Sequence, residues 1–368
     1  MLSDKLLRPT LVAFANSHNS MKKYRFILLV QQNYSFEILR PMYSVMQERG
    51  DQVLWLKLGN EVNTALFNSN ESVTQSIEQA IAFKPDAIFV TGNMVPDFIP
   101  GLKVQLFHGF EWKKKGHFRI RGSFDLYCTQ GPLFTRKFEN FAEQHGYFDV
   151  IETGWPKMDN AFPLQAKQIK NDKNQILYLP TFSPKLTSTN DLLPEIEALA
   201  HSNEYRWIIK FHPKMAKKVV TQYELMAEQF DNVTVYKKAD LLSLIRDCDL
   251  VLSDTSSAIA ESLLHRKPVI TYRNSMPDEY IVNFTNATEL HSKIKKVFEN
   301  AEQQESNFDH FAAEYHPFSD GKSSNRVIDA AIQRIENGLC AKKKKPANFI
   351  RNIKLRRQEN FWPWTIRS

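Results

Sequence analysis

Short apolar runs alternate along this chain with longer stretches whose apolar residues recur every three or four positions. The runs read as strands at Arg25–Val30, Gln52–Leu56, Ala87–Val90, Lys103–Phe107, Asp125–Thr129 and Val150–Glu152. Between them, Ser35–Glu48, Ser72–Phe83 and Pro132–His145 read as amphipathic helices. A polar, aperiodic stretch at Pro163–Asn174 interrupts the pattern and reads as a linker. The alternation then restarts, with strands at Ile176–Leu179, Trp207–Phe211, Val233–Tyr236, Leu250–Leu252 and Val269–Tyr272. The matching helices are Asp191–His201, Met215–Gln229, Asp240–Arg246 and Ser256–His265, with two more near Ala287–Glu299 and Ser324–Gly338. Such alternation specifies parallel βαβ units, because only a crossover returns the chain to the starting end of a parallel sheet. The expected fold is α/β, with two doubly wound domains facing a cleft, over 21–165 and 174–338, and a tail over 341–368. Ligands of such sheets bind beyond the carboxyl ends of the strands.

Composition narrows the class. At 42% hydrophobic residues the chain can fill two cores. No apolar run approaches the ~20 residues of a membrane-spanning helix. Arg8 and Pro9 break the apolar part of the N-terminal stretch, which argues against a cleaved leader and starts the ordered domain near Met21. Cys128, Cys248 and Cys340 are too scattered for a disulfide framework or a CxxC zinc site. The expected location is the cytoplasm. Residues 341–368 hold nine Lys/Arg and one Glu, a net +8, which leaves −1 for the rest of a chain whose total is +7. A near-neutral body gives no support to nucleic acid as a partner.

Three constellations can carry chemistry. In LFHGFEWKKKGHF, His108 and Gly109 directly follow a strand, and Lys113 leads a run of three lysines. A histidine there suits a general base towards an acceptor hydroxyl, and the lysines suit phosphate; a solvated basic turn gives the same pattern. In WIIKFHPKM, a strand ends at Lys210, His212, Pro213 and Lys214, which again fits either a cleft edge or a solvent-exposed strand end. In SDTSSAIAE, Asp254, Thr255, Ser256 and Ser257 lie between a strand and a helix, with Glu261 one turn further on. Hydroxyls and unsatisfied N–H groups at a helix start suit a diphosphate, and Glu261 suits a ribose; capping by Asp254 or Thr255 accounts for part of the run. Gly154–Asp159, with Lys157, and Tyr178–Lys185 add two further strand ends. No glycine occurs between Gly154 and Gly321, so a glycine-rich phosphate loop is excluded there. GxSxG, HExxH and a spaced Cys/His cluster are absent, which disfavours a serine hydrolase or a zinc enzyme.

Taken in order, these motifs resemble the CDP-glycerol glycerophosphotransferase family, the teichoic-acid-type polyol-phosphate transferases. The resemblance rests on His108-Gly109 with Lys113, Gly154 to Asp159, Pro180 to Lys185, Lys210 to Pro213, Asp254 to Ser257, and Lys267 to Tyr272. Lysines stand at 157, 185 and 210 where the family pattern has arginine, and Thr255 replaces its tyrosine. The resemblance implies two Rossmann-like domains of the GT-B type and attack of an acceptor hydroxyl on the β-phosphorus of a CDP-polyol, releasing CMP. It implies His108 as base, and His212, Ser256 and Ser257, with Lys185 and Lys210, on the donor. Gly109, Lys113, Lys157 and Asp159 are expected on the acceptor or phosphate side, with no metal or other cofactor. The acceptor is expected to be a lipid-linked glycan.

The tail agrees with such an acceptor. Its lysines and arginines are interleaved with Phe349, Ile350, Ile353, Leu355, Phe361, Trp362 and Trp364, a basic amphipathic composition suited to the inner face of an anionic membrane. A solvated tail, or one packed back on the first domain, fits the same composition. The competing functions are a GT-B glycosyltransferase using a nucleotide sugar or CMP-Kdo, a UDP-sugar 2-epimerase, and a non-catalytic membrane scaffold.

Overall fold

The computed structural model describes residues 22–110, 118–167, 172–237 and 239–362, and only the backbone of residues 301–303. Lys113, with Lys114 and Lys115, lies outside the described residues, as do the first 21 residues and Trp364. In the first domain β1 (Arg25–Val30) leads to α1 (Ser35–Arg49), β2 (Gln52–Lys57), β3 (Val73–Thr74), α2 (Ile77–Ala82), β4 (Ala87–Val90) and β5 (Leu102–Gln105). Then come β6 (Leu126–Thr129), α3 (Pro132–His145) and β7 (Asp149–Glu152). α3 starts at Pro132, whose fixed φ suits a first helical residue, and ends at Gly146 with φ +71°. The expected helix at Ser72–Phe83 begins only at Ile77, because the Ser76 side chain caps Gln79 N–H at 3.1 Å and the preceding residues pair as β3.

The second domain continues with β8 (Gln175–Leu179), α4 (Thr189–Ser202), β9 (Arg206–Lys210), α5 (Lys217–Gln229), β10 (Val233–Tyr236), α6 (Leu241–Asp247) and β11 (Leu250–Ser253). It then runs through α7 (Ala258–Leu264), β12 (Val269–Tyr272), β13 (Val282–Phe284), α8 (Leu290–Glu299) and α9 (Ala301–Tyr315). Both sheets are wholly parallel, ordered β3-β2-β1-β4-β5-β6-β7 and β10-β9-β8-β11-β12-β13. Their central strands are buried on both faces, as uninterrupted apolar runs require. Strand order reverses between β1 and β4 and between β8 and β11, and such reversals open crevices at the carboxyl ends.

The chain then returns to the first domain. α10 (Ser323–Asn337) packs on α1 and buries Val327, Ile328 and Ala331. Its Arg334 meets Asp149 at 2.5 Å, and Asp329 meets Arg49 at 2.6 Å. The span expected for the second domain, 174–338, therefore includes a helix that packs on the first. The tail also folds back: Cys340 and Ala341 donate backbone N–H to Asp149, and Lys345 reaches Asp125 at 2.7 Å. α11 (Phe349–Gln358) buries Leu355, and Phe361 stacks on Phe98 at 5.5 Å. Among the described residues no helix is long and apolar enough to cross a membrane.

Candidate active site

Beyond β5 the chain turns at Phe107, whose φ of +61° is a left-handed conformation that non-glycine residues rarely adopt. Packing holds it there. The Phe107 ring is buried 4.9 Å from that of Phe138, and its carbonyl accepts from Trp155 Nε1 at 3.4 Å. The Gly109 carbonyl accepts from Gln130 Nε2 at 2.8 Å, and Phe110 is buried edge-on to Trp155 at 4.8 Å. His108 is the exposed residue of this anchored turn, with its ring 5.2 Å from that of Tyr34. Burial, then the charge of Glu61, raise the Tyr34 phenol above its usual range, so it stays protonated at neutral pH.

In the second domain Asp254 occupies the crevice between β8 and β11. Its buried carboxylate accepts from Thr181 N–H at 2.9 Å and from the N–H and hydroxyl of Ser188 at 3.0 and 2.9 Å. Burial raises its pKa and these donors oppose the rise. The carboxylate thus ties the loop after β8 to the loop after β11. Thr255 accepts from Ser275 N–H at 3.1 Å, the Ser256 hydroxyl accepts from Ala258 N–H at 3.3 Å, and Ser257 is exposed. At the end of β9, His212 Nδ1 accepts from Lys214 N–H at 3.0 Å, so the neutral ring carries its proton on Nε2. Burial, then Lys214 and Lys210, hold its pKa below the ordinary 6.5. Its ring stacks on Phe182 at 4.4 Å.

α7 is the element on which the domains meet. On one side, Thr255, Ser256, Ser257, Ile259 and Leu263 line an open cavity together with Phe110 of the first domain and Tyr315 of α9. On the other, Glu261 takes Lys157 at 2.8 Å, and Lys157 also meets Glu37 of α1 at 2.9 Å. Burial pulls Lys157 down, but the two carboxylates outweigh it and the ammonium sits above its ordinary pKa. Asp159 accepts from Ser323 and Ser324 N–H at 2.8 and 2.7 Å, so it caps α10. Gly154 has φ +80°, and a Cβ there would lie 2.4 Å from Ser323 Oγ. Only glycine permits that approach of the two segments.

The family model for CDP-glycerol:poly(glycerophosphate) glycerophosphotransferase matches residues 123–333, more than half of the 368-residue chain. The chain belongs to that family. It is accordingly a glycerophosphotransferase-type enzyme, with a CDP-polyol donor and a glycan acceptor. The wall teichoic acid polymerase TagF, soaked with CDPG, is similar in structure at 17% identity and TM-score 0.62, over 86% of this chain and 90% of that one. A putative UDP-N-acetylglucosamine 2-epimerase from Listeria monocytogenes is similar at 12% identity and TM-score 0.64, over 89% of this chain and all of that one. S. aureus MnaA with UDP gives 13% identity and TM-score 0.63, over 88% of this chain and 100% of that one. At these identities the likeness establishes the two-domain GT-B-like fold alone. No curated protein sequence matches the chain.

Within the glycerophosphotransferase, several expected residues converge. The turn bearing His108 and Gly109 reaches the cavity through Phe110, and Thr255, Ser256 and Ser257 line it from the opposite domain. Lys210 and His212 stand at the neighbouring strand end, and Lys185 is exposed in the loop after β8. Asp254 and Asp159 spend their carboxylates on backbone N–H groups, and Lys157 and Glu261 are paired with each other. Sequence reasoning did not single out Tyr34, Phe110, Gln130, Phe182 or Asn274. Asn274 donates to the Asp254 carbonyl at 2.7 Å. The signal for Phe182 was present, since it lies inside the strand-end motif Pro180 to Lys185.

Proposed function

We propose that this glycerophosphotransferase moves a polyol phosphate from CDP-glycerol or CDP-ribitol to a hydroxyl of a lipid-linked surface glycan. The donor rests on 174–322, and the acceptor approaches from 21–165. The acceptor oxygen forms a bond to the β-phosphorus while the bond from that phosphorus to the bridging oxygen breaks. CMP leaves with the bridging oxygen, and His108 takes the hydroxyl proton. Ser256, Ser257 and Nε2–H of His212 donate to the diphosphate, and Lys185 and Lys210 offset its charge, so no resident metal is required. Glu261, expected at the ribose, is instead buried on the side of α7 away from the cavity and paired with Lys157, so it joins the two domains. The observation that supports this reading is the cavity that Phe110, two residues after His108, and the Ser256-Ser257 segment line from opposite domains.

The acceptor's lipid places the enzyme on an anionic inner membrane face. The inner side of α11 is held to the first domain, while Phe349 and Ile350 are 73% and 72% exposed. Ile353, Lys354, Arg357 and Trp362 are exposed beside them, after the exposed Lys342–Lys344. Each cation near an anionic surface contributes about 1 kcal/mol, and the apolar stripe adds insertion. The test is CMP release from CDP-glycerol or CDP-ribitol with lipid-linked glycan in phosphatidylglycerol vesicles. Acceptor-dependent release that persists in EDTA is expected, and release no faster than without acceptor refutes the transfer. Phe349→Ser with Ile350→Ser should lower vesicle binding and spare CMP release with a soluble acceptor; unchanged vesicle binding refutes the membrane face.

A further inference from the structure

The orientation of the His212 ring is set from two sides. Its Nδ1 lone pair is occupied by Lys214 N–H at 3.0 Å, a contact made by the chain two residues further on. That hydrogen bond fixes one ring nitrogen and leaves the ring free to rock about it. The second contact comes from another strand end: the Phe182 ring lies 4.4 Å from the imidazole centroid at an interplanar angle of 28°. Stacking of this kind blocks rocking out of the shared plane and does not compete for either nitrogen. Phe182 is itself 40% exposed, a large apolar side chain left partly in water. A core role does not explain it, because the loop from Pro180 to Ser188 is already tied down by Asp254 through Thr181 N–H and Ser188.

We infer that Phe182 is a positioning residue for His212, holding the imidazole so that Nε2–H faces the donor's diphosphate. The ring then acts as a neutral hydrogen-bond donor, and the phosphate meets a proton already aimed at it. Two strand ends are needed for this. β9 supplies the imidazole and the N–H that selects its tautomer, and the loop after β8 supplies the plane that orients it. The inference rests on the proposed role of His212 at the diphosphate, but the holding of the ring can be read without any donor.

The experiment uses the full chain labelled with ¹⁵N-histidine, compared as wild type, Phe182→Ala, Phe182→Trp and His212→Ala. Long-range proton–nitrogen correlation at neutral pH reports which ring nitrogen bears the proton, and His212→Ala assigns the signal. The wild type should show a protonated Nε2 and an unprotonated Nδ1. Phe182→Ala should keep the Nε2–H tautomer that Lys214 N–H selects, but broaden the ring signals as the imidazole rocks, and should lower kcat for CMP release from CDP-glycerol by about ten- to a hundredfold, the usual cost of a misaligned group. Phe182→Trp should restore both the spectrum and the rate. Unchanged ring-nitrogen signals in Phe182→Ala overturn the inference. Full activity of His212→Ala would instead remove His212 from the diphosphate while the spectra still report whether Phe182 holds the ring.

Discussion

The two histidines proposed to act on acceptor and donor are presented in opposite ways. His108 stands on backbone that is itself constrained, between a left-handed Phe107 and a Gly109 whose carbonyl is pinned by Gln130. Its neighbours Phe107 and Phe110 are buried, so the position of its Cα follows from the core of the first domain. His212 stands on an ordinary strand end, and what constrains it is contact with its ring: Lys214 N–H at Nδ1 and Phe182 against the face. Strain stored in backbone and offset by packing suits a group that must meet a mobile acceptor hydroxyl in one orientation. A neutral ring among Lys210 and Lys214 suits a group that answers charge. Position is encoded in the core for one and in the loops for the other.

That contrast can be broken, and the largest effect should come from the base. His108→Ala should lower kcat by about a hundred- to ten-thousand-fold with little change in donor affinity, measured as CMP release and calorimetric binding. Next is the contact that joins the two halves. Lys157→Met leaves the buried Glu261 without its cation and should destabilise the fold by about 3–5 kcal/mol in denaturant unfolding. Adding Glu261→Leu should recover most of that stability, and an unfolding midpoint unmoved by the single change would mean the pair does not join the domains. His212→Ala should weaken donor binding by about ten- to a hundredfold, the worth of a hydrogen bond to a charged group.

A separate test is the pH dependence of stability. His265 and His316 are buried, and burial lowers both to about 4 from an ordinary 6.5. The unfolded chain therefore takes up protons first, so stability falls as pH drops from 6.5 towards 4 and gains nothing from these groups above 6.5. A melting temperature flat across that window would contradict their burial as neutral rings.

Much of this was legible in the chain. Every strand read from the apolar runs is present, because strands buried on both faces leave an unbroken apolar signature. β13 was missed because Val282–Phe284 is a short edge strand with one polar residue in three. α9 was missed although Phe308, Phe311, Ala312 and Tyr315 fall at helical spacing, because the first half of its sequence, AEQQESN, is polar and carries no apolar stripe. The site motifs lie where the strand ends were expected, since strand termini are local. Pairings across the cleft are not local. Nothing in the sequence says that Asp254 binds the loop before α4, that Asp159 caps α10, or that Lys157 meets Glu261. The tail's composition suited a membrane or the first domain, and the fold divides it: one side of α11 packs inward and the other carries Phe349 and Ile350 outward.

The central claim is that the second domain holds a cytidine-diphosphate polyol while the first supplies the base. Calorimetric titration with CDP-glycerol, CDP-ribitol, CMP-Kdo and UDP-N-acetylglucosamine, repeated on Ser256→Ala and His108→Ala, tests it most directly. Preferential binding of a CDP-polyol, weakened by Ser256→Ala and kept by His108→Ala, is the result predicted. Preference for the uridine or Kdo donor, or equal weakening by both substitutions, would contradict it.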